Sequence, residues 1–291
     1  MELRRIKEHT YCSLSGKMKL IDIHAHLEHQ KFEKDLDKVI ENAKKENLKL
    51  IINSGVNPET NRKALEISEK YPLVKVSFGL YPIDALMKEI EEGKKQGNSF
   101  LRDIEEFDVD EELKWIEKNR DKCIAIGEIG LDYNWKEFQE EKERELQKAV
   151  FRKVLALAKK INKPVIIHSR KAEEDAINIL EELKNPKVIM HCFSGRKSLI
   201  KRCIENKWYF SIPPVIKRLL HFQTLVEMVP IEQLLTETDS PYLSHIAGER
   251  NEPKNVKFTI EEIARIKSLD KEKVADKIFE NTEKVFNMQI H

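Results

Sequence analysis

Short apolar runs alternate along the chain with longer charged segments in which apolar residues recur every three or four positions. Eight of the runs predict β-strands, at residues 19–24, 48–54, 73–79, 123–128, 164–168, 187–191, 208–212 and 233–236. The helical spacing is clearest at residues 137–161. Some strands are apolar at successive positions, as at Val165, Ile166 and Ile167, which is typical of a parallel sheet covered on both faces.

The alternation of strands and helices predicts an α/β fold and, within that class, a (β/α)8 barrel of the TIM type. Eight alternations in about 270 residues suit such a barrel. The first strand is not followed by the glycine motif of an open dinucleotide-binding sheet. We expect one barrel domain at residues 19–291, preceded by an N-terminal extension at residues 1–18. The third connection, at about residues 83–107, is unusually long, and residues 240–257 form a loop before two closing helices.

The composition is highly charged but almost neutral overall. Of the 291 residues 35% are charged, and 52 Lys and Arg oppose 51 Asp and Glu, which gives a formal net charge of +1. A chain of this kind lacks the overall positive field of proteins that bind nucleic acid along their whole surface. Any polyanionic substrate is therefore expected to be held by a few local contacts.

The sequence favours a cytoplasmic location. No apolar stretch approaches the roughly 18 residues of a membrane span, and the N-terminal segment lacks the apolar core of a secretory signal. The four cysteines form no Cys-x-x-Cys pair and are too sparse for a disulfide framework. We expect no membrane association and, because no feature indicates an obligate protein partner, a monomer.

Residue types that bind metals stand where the predicted strands end. They are His24 and His26 in the first strand region, Glu128 in the fourth, His168 in the fifth, His191 in the sixth and Asp239 after the eighth. Each has an ordinary structural explanation by itself, as a packed strand residue, a hydrogen-bonded rim histidine or a salt bridge. Their coincidence on the face where barrel active sites form favours a site for one or two divalent ions.

Basic residues follow the same strand ends. Arg170 comes two residues after His168, and Ser194 and Arg196 come shortly after His191, where a helix is expected to open. Further basic and amide residues stand in the loop after the eighth strand, at Arg250, Asn251 and Lys254. About half of them are expected to be solvated surface. Their clustering nevertheless predicts an anionic substrate, with Arg170, Ser194 and Arg196 as phosphate contacts.

Six motifs, read in order, resemble the TatD family of metal-dependent hydrolases among the amidohydrolase-like barrels. They are IDIHAH, AIGEIGLDY, PVIIHSR, HCFSG, LLTETDSPYL and RNEP, spread from about residue 19 to residue 286. The resemblance implies a TIM-type barrel with two metal ions that hydrolyses phosphodiester bonds in DNA. It also implies that His24, His26 and Asp239 hold one metal, that His168 and His191 hold the second, and that Glu128 bridges the two.

The chain departs from the family pattern after the third strand. The family commonly has Gly-x-His-Pro there, whereas this sequence has Gly79, Leu80, Tyr81 and Pro82. Tyr81 is therefore expected in the substrate pocket near the leaving group, where a neutral phenol changes substrate preference or protonation of the product. The long segment that follows is expected to reshape access to the site. Glu128 supplies a bridging carboxylate directly, which disfavours the dihydroorotase-like and urease-like relatives that use a carbamylated lysine.

The leading functional hypothesis is a two-metal deoxyribonuclease that degrades DNA from the 3′ end. Asp239 is expected to orient and deprotonate the attacking water, with Glu128 as the second catalytic carboxylate and Glu237 as the competing candidate for the base. The metals suit Zn, Mn, Co or Ni, or Mg if water completes the shell. An alternative keeps the site but cleaves an ester or amide, such as a D-aminoacyl-tRNA. A non-enzymatic alternative is a metal-stabilised binding protein.

Overall fold

Eight parallel strands form the centre of the molecule. The computed structural model describes residues 17–88, 105–135, 140–184 and 187–290, and the strands pair in sequence order from β1 to β8. Their bounds are β1 Leu20–Ala25, β2 Leu48–Ser54, β3 Val74–Leu80, β4 Ala125–Asp132, β5 Val165–Arg170, β6 Val188–His191, β7 Tyr209–Ile212 and β8 Leu234–Thr236. The prediction of eight strands is confirmed.

The first and last strands meet and nearly close the sheet into a barrel. Ala25 and Ser240 form a parallel bridge, and the His26 amide donates to the Ser240 carbonyl at 2.8 Å. The Thr236 hydroxyl donates to the Ile21 carbonyl at 2.6 Å. These contacts bring the chain that follows β8 beside the end of β1.

Helices cover the outside of the barrel and alternate with its strands. Those in the described part of the chain are α1 Leu36–Lys45, α2 Pro58–Lys70, α3 Val109–Lys118, α4 Glu141–Lys160, α5 Glu173–Leu183, α6 Lys197–Glu205, α7 Leu220–Met228, α8 Val256–Lys267 and α9 Lys271–Phe286. Local sequence fixes the start of α2, where Asn57 and Thr60 form a capping box and Pro58 is the first helical residue. The predicted single (β/α)8 barrel is confirmed. None of the described helices is both long and apolar enough to cross a bilayer.

The apolar core has two parts, as a barrel requires. One cluster lies between the sheet and its helices and contains the fully buried Phe78, Phe151 and Phe210. The other joins strands from all round the sheet to the last helix and includes Ile21, Leu50, Ala125, Ile166, Ile189, Leu235 and Phe286. The second cluster fills the barrel interior, so the polar groups gather beyond it at the carboxyl ends of the strands.

The observed strands differ from the predicted ones mainly at their carboxyl ends. β4 continues four residues past Glu128 to Asp132, and β5 continues to Arg170. Charged residues interrupt the apolar pattern there, but the backbone pairing persists, with Asp132 opposite Arg170. The long helix of residues 137–161 is observed as Glu141–Lys160, and residues 136–139 lie outside the described part.

Two predicted segments fall largely outside the described residues. Of the proposed extension at 1–18 only residues 17 and 18 are described, and of the long connection at 83–107 residues 89–104 are not. The described start of that connection forms a short 3-10 turn, Asp84–Leu86. Ile83, Leu86 and Met87 pack there against Val56 and Tyr81. The boundaries at 1–18 and 19–291 stay predictions.

Candidate metal centre

Four of the predicted ligand residues meet at the carboxyl end of β1. The Nε2 atoms of His24 and His26 lie 3.2 Å apart. Glu128 Oε2 lies 3.5 Å from His24 Nε2 and 3.6 Å from His26 Nε2. Asp239 Oδ1 lies 3.6 Å from His24 Nε2 and 3.4 Å from His26 Nε2. Two imidazoles and two carboxylates therefore converge on one point.

The spacing of these atoms fits a divalent metal ion. Ligand atoms about 2.1 Å from a tetrahedral ion lie about 3.4 Å from one another, which agrees with the separations of 3.2–3.6 Å. Nitrogen and carboxylate oxygen are ligands that such ions accept. The donor set and its geometry thus fit a metal.

Glu128 extends the cluster towards β5 and β6. Its other oxygen, Oε1, lies 2.7 Å from His168 Nδ1 and 3.9 Å from His191 Nε2. The ring of His191 also stacks on that of His24, with centroids 3.9 Å apart. One carboxylate therefore faces two pairs of histidines, and all six predicted ligands lie together.

Buried carboxylates fix the orientation of His191 and His168. Glu237 Oε2 accepts from His191 Nδ1 at 2.6 Å and from the Ser211 hydroxyl at 2.5 Å. Asp132 Oδ2 lies 3.0 Å from His168 Nε2. A carboxylate on the far nitrogen sets the tautomer and aims the other nitrogen at the site. Glu237 is thereby placed behind His191 rather than at the mouth.

Asp132 and Ser54 are site residues that the sequence analysis did not identify. Asp132 was detectable, because Glu128, Gly130 and Asp132 alternate along one strand and share a face. The Ser54 hydroxyl lies 3.2 Å from His24 Nδ1, and its carbonyl lies 2.9 Å from His26 Nδ1. A serine that ends an apolar strand carries no comparable signal.

Gly130 allows β4 to lie close enough to β5 for Glu128 to meet His168. Its φ is +145°, and a Cβ there would overlap the His168 carbonyl. Only glycine combines that backbone conformation with so close an approach. The second glycine of AIGEIGLDY, Gly130, is therefore required by the close approach of the two strands.

Burial and the neighbouring charged groups shift the pKa values of the cluster residues in different directions. Burial lowers the pKa of His24 to about 4, with the charge of His191 adding to the effect. Burial also disfavours the charged form of His168, but its bonds to Asp132 and Glu128 outweigh this and raise its pKa to about 10. Burial likewise opposes ionisation of Asp239, and the His26 bond with the neighbouring imidazoles overcomes it and lowers the pKa of that carboxyl. Asp239 is therefore ionised at neutral pH.

The chain after β8 is held rigidly where Asp239 projects. Asp239 has φ +52°, in the left-handed region that Asp tolerates better than most residues, and its amide donates to the His24 carbonyl at 2.9 Å. Asp22 accepts from the Thr238 amide and hydroxyl at 2.8 and 2.5 Å. Asn251 donates to the Thr238 carbonyl at 2.8 Å. These bonds fix the carboxylate that faces His24 and His26.

Comparison with known proteins adds an independent observation. A family model described as TatD related DNase matches residues 21–287. The chain belongs to the TatD family. It is 36% identical over 277 residues to the metal-dependent hydrolase YabD of Bacillus subtilis, covering 92% of this chain and 99% of that protein.

A human protein named deoxyribonuclease TATDN3 is also similar, at 35% identity over 92% of this chain and 94% of the relative. The crystal structure of YJJV, a TatD homologue from Escherichia coli, superposes with a TM-score of 0.79 at 23% identity, covering 94% of this chain and 100% of that one. The expectation of a TatD-type, metal-dependent hydrolase on a TIM-type barrel is confirmed.

Tyr81 occupies the place where TatD proteins commonly have histidine, and it is buried behind the cluster. Its hydroxyl donates to Asp132 Oδ2 at 2.5 Å, and Trp135 Nε1 donates to the same oxygen at 3.2 Å. Burial, with the charge of Asp132, raises the pKa of Tyr81 well above its usual value. The phenol therefore stays protonated and donates a hydrogen bond to Asp132, which in turn contacts His168.

The three predicted phosphate contacts have different surroundings. The Ser194 hydroxyl donates to Glu173 at 2.9 Å, and Arg196 pairs with Glu174 at 2.9 Å. The helix expected to open at Ser194 begins later, at Lys197. Arg170, in contrast, is exposed at the end of β5 with its guanidinium 5.6 Å from the centroid of the Trp135 ring.

In the loop after β8, Arg250 forms structural contacts. Arg250 makes two bonds of 2.7 Å to the Asp35 carboxylate and one of 3.1 Å to Glu252. Its bidentate pairing joins this loop to the chain ahead of α1. Arg250 therefore has a structural role, because it holds this loop against the chain ahead of α1.

Proposed function

We propose that this TatD-family chain is a two-metal phosphodiesterase that degrades DNA from the 3′ end. The observation that carries the proposal is the position of Glu128, whose two oxygens face different pairs of histidines. In the proposed arrangement His24, His26 and Asp239 hold one ion, and His168 and His191 hold the other. The human relative named a deoxyribonuclease supports DNA as the substrate.

Two divalent ions held there would lower the pKa of a water molecule towards about 7 and offset charge on the attacked phosphate. The chain's own residues supply the rest. Asp239 is ionised and its side chain is 15% exposed, so it is suited to accept the proton of the attacking water. Glu128 is more deeply buried and is suited to bridging.

The donor set also bears on the ions and on the assembly. Four imidazoles with two carboxylates favour Zn, Mn, Co or Ni over Mg, which prefers oxygen ligands. All six ligands come from one polypeptide, so the site is complete in a monomer. Arg170, exposed beside the cluster, is the strongest of the proposed phosphate contacts, and Ser194 and Arg196 would have to leave Glu173 and Glu174 to act in the same way.

Digestion of end-labelled DNA tests the proposal. Single-stranded and double-stranded oligonucleotides, labelled at the 5′ or the 3′ end, are incubated with metal-free protein and each divalent ion in turn. A metal-dependent ladder of 5′-labelled products that shortens from the 3′ end is expected, with Asp239→Asn as the inactive control. Cleavage of a D-aminoacyl-tRNA ester with no cleavage of DNA would reassign the substrate, and absence of any turnover would favour a binding protein.

A further inference from the structure

Exposed apolar side chains are concentrated on one side of the barrel mouth. Of the five large hydrophobic residues exposed in the described part of the chain, four lie in the segments that follow β7 and β8, namely Leu219, Leu220, Tyr242 and Ile246. These segments leave the carboxyl ends of their strands and therefore border the metal centre. Arg218, in the segment after β7, donates to the carbonyl of Ser244, in the segment after β8, at 3.0 Å, and this bond links the two segments.

Among these four residues, Tyr242 lies in the same turn as Asp239. It follows Asp239 by three residues, and its amide donates to the Asp239 carbonyl at 2.8 Å. Its ring centroid lies 6.3 Å from that of His26, and the residue is 42% exposed. The turn that places the carboxylate at the site thus also places an accessible aromatic ring beside it.

A lysine and an imidazole accompany this ring. Lys31 Nζ lies 5.8 Å from the centroid of Tyr242, and the His29 ring lies 5.5 Å from it in an edge arrangement. The opposite side of the mouth, after β5 and β6, carries the exposed Arg170 and also Arg196, which is paired with Glu174. A ligand that spans the centre therefore meets a flat apolar surface on one side and cations on both, which are the requirements of a single nucleic-acid strand.

We propose that Tyr242 is a specificity-determining residue, which stacks on the unpaired base of the nucleotide next to the cleaved phosphate. The inference rests on the proposed cleavage of DNA and adds a preference for unpaired ends. A base in a duplex is already stacked and paired, so its face is available to Tyr242 only after the end frays. Aromatic stacking tolerates any base, so the preference is for single strands and not for a sequence.

Initial rates on short single-stranded DNA test the stacking contact. The substrates carry either an ordinary nucleotide or an abasic site at each of the last two 3′ positions. The proteins are wild type, Tyr242→Ala, Tyr242→Phe and the control Leu269→Ala. Leu269 is also 42% exposed but lies after α8, at the amino end of the barrel. Thermal unfolding verifies that each variant is folded.

For Tyr242→Ala we expect kcat/KM on the ordinary strand to fall at least about five-fold, mainly through KM, by the loss of one stacked base. An abasic site should cost the wild type a similar factor and Tyr242→Ala almost nothing more, because both changes remove the same contact. Tyr242→Phe and Leu269→Ala should resemble the wild type. Equal losses from the abasic site in wild type and Tyr242→Ala would overturn the inference while leaving the proposed function intact.

Binding gives a second measurement that needs no turnover. A 2-aminopurine at the sensitive 3′ position is bound to Asp239→Asn protein, with and without Tyr242→Ala, so that the strand is not cut. Stacking on the ring should quench its fluorescence, and Tyr242→Ala should remove that quenching. Equal quenching in the two proteins would contradict the stacking contact. Failure of the wild type to cleave any DNA would instead overturn the proposed function and this inference together.

Discussion

Asp239 and Glu237 lie two residues apart after β8 but have different environments. Asp239 faces the imidazoles of His24 and His26 and is reached by solvent, whereas Glu237 is fully buried against His191 and Ser211. From the sequence, period-two alternation places both on one side, and Asp239 is expected to be the base with Glu237 as the competing candidate. The hydrogen bonds of Glu237 explain why it is a support and Asp239 the candidate base.

Replacement of Asp239 by asparagine should lower kcat at least about 100-fold, the low end for loss of general base catalysis. Asparagine keeps the size and one oxygen of the carboxylate but cannot accept the proton. Steady-state kinetics at saturating metal, with circular dichroism to verify folding, provide the measurement. Near-normal kcat with both metals bound would assign the base elsewhere.

Asp132→Asn and Glu237→Gln should act mainly on metal affinity. Each change weakens the partner of one histidine, and loss of such a partner typically reduces affinity 10- to 100-fold. We expect excess metal to restore much of kcat in these two variants but not in Asp239→Asn. Titration of activity against free metal separates the two kinds of variant, and a loss of kcat that excess metal leaves unchanged would contradict the supporting role.

Tyr81→Phe should reduce activity modestly, because it removes only the hydroxyl donor to Asp132 and leaves Trp135 bonded to the same carboxylate. The raised pKa of Tyr81 keeps the phenol protonated at working pH, so it adds no limb to the pH profile of kcat/KM. Tyr81→His should add one, since imidazole titrates between about pH 5 and 8. A loss in Tyr81→Phe as large as that from removing a ligand would make the phenol central.

At the scale of elements, strands with unbroken apolar patterns were predictable and their polar ends were not. β2 has the predicted bounds, because its run from Leu48 is limited by Ser54 and Gly55. β4 was predicted too short, since Glu128 interrupts the apolar pattern while backbone pairing continues to Asp132. The functional end of a barrel strand is where side chains turn polar, so the pattern fails near the site.

The last helix offers a test of local capping. Asp270 caps α9 by accepting from the Glu272 amide at 3.0 Å, and this helix ends at Phe286 in the interior cluster. Asp270→Ala should lower the free energy of unfolding by about 1 kcal/mol. Asp276→Ala, an exposed position within the same helix, should have little effect or stabilise slightly. Urea denaturation of both variants compares them, and equal effects would contradict a capping role.

Across the whole molecule, the convergence of the six proposed ligands was predictable, because strand order alone makes them neighbours. His24 and Asp239 are far apart in sequence, but β1 and β8 adjoin in the nearly closed barrel, so the side chains of the two residues meet. The supports were harder to predict. Asp132 was detectable from the alternation along β4, but Ser54 carries no comparable signal, and the role of Glu237 depends on its contacts with His191 and Ser211. The surroundings of Arg196 and Arg250 depend on carboxylates in other loops, which a linear pattern does not contain.

In the proposed two-metal site, protons would compete with a metal ion for the second pair of histidines, His168 and His191. The pKa of His168 is raised to about 10 and that of His191 to about 9, in each case because carboxylate contacts outweigh burial. At neutral pH both rings therefore hold a proton that a metal must displace, whereas His24 with a pKa of about 4 is already neutral. Metal uptake is accordingly expected to release protons and to weaken as pH falls.

The most direct test of the central claim is the number of ions that the protein binds. Metal-free protein is titrated with Zn, Mn or Co near pH 8 and its metal content is measured by elemental analysis after removal of excess ion. Two ions per wild-type chain are predicted, with one remaining in His24→Ala/His26→Ala and weak binding of both in Glu128→Gln. A chain that binds no stoichiometric metal under saturating conditions would contradict the account.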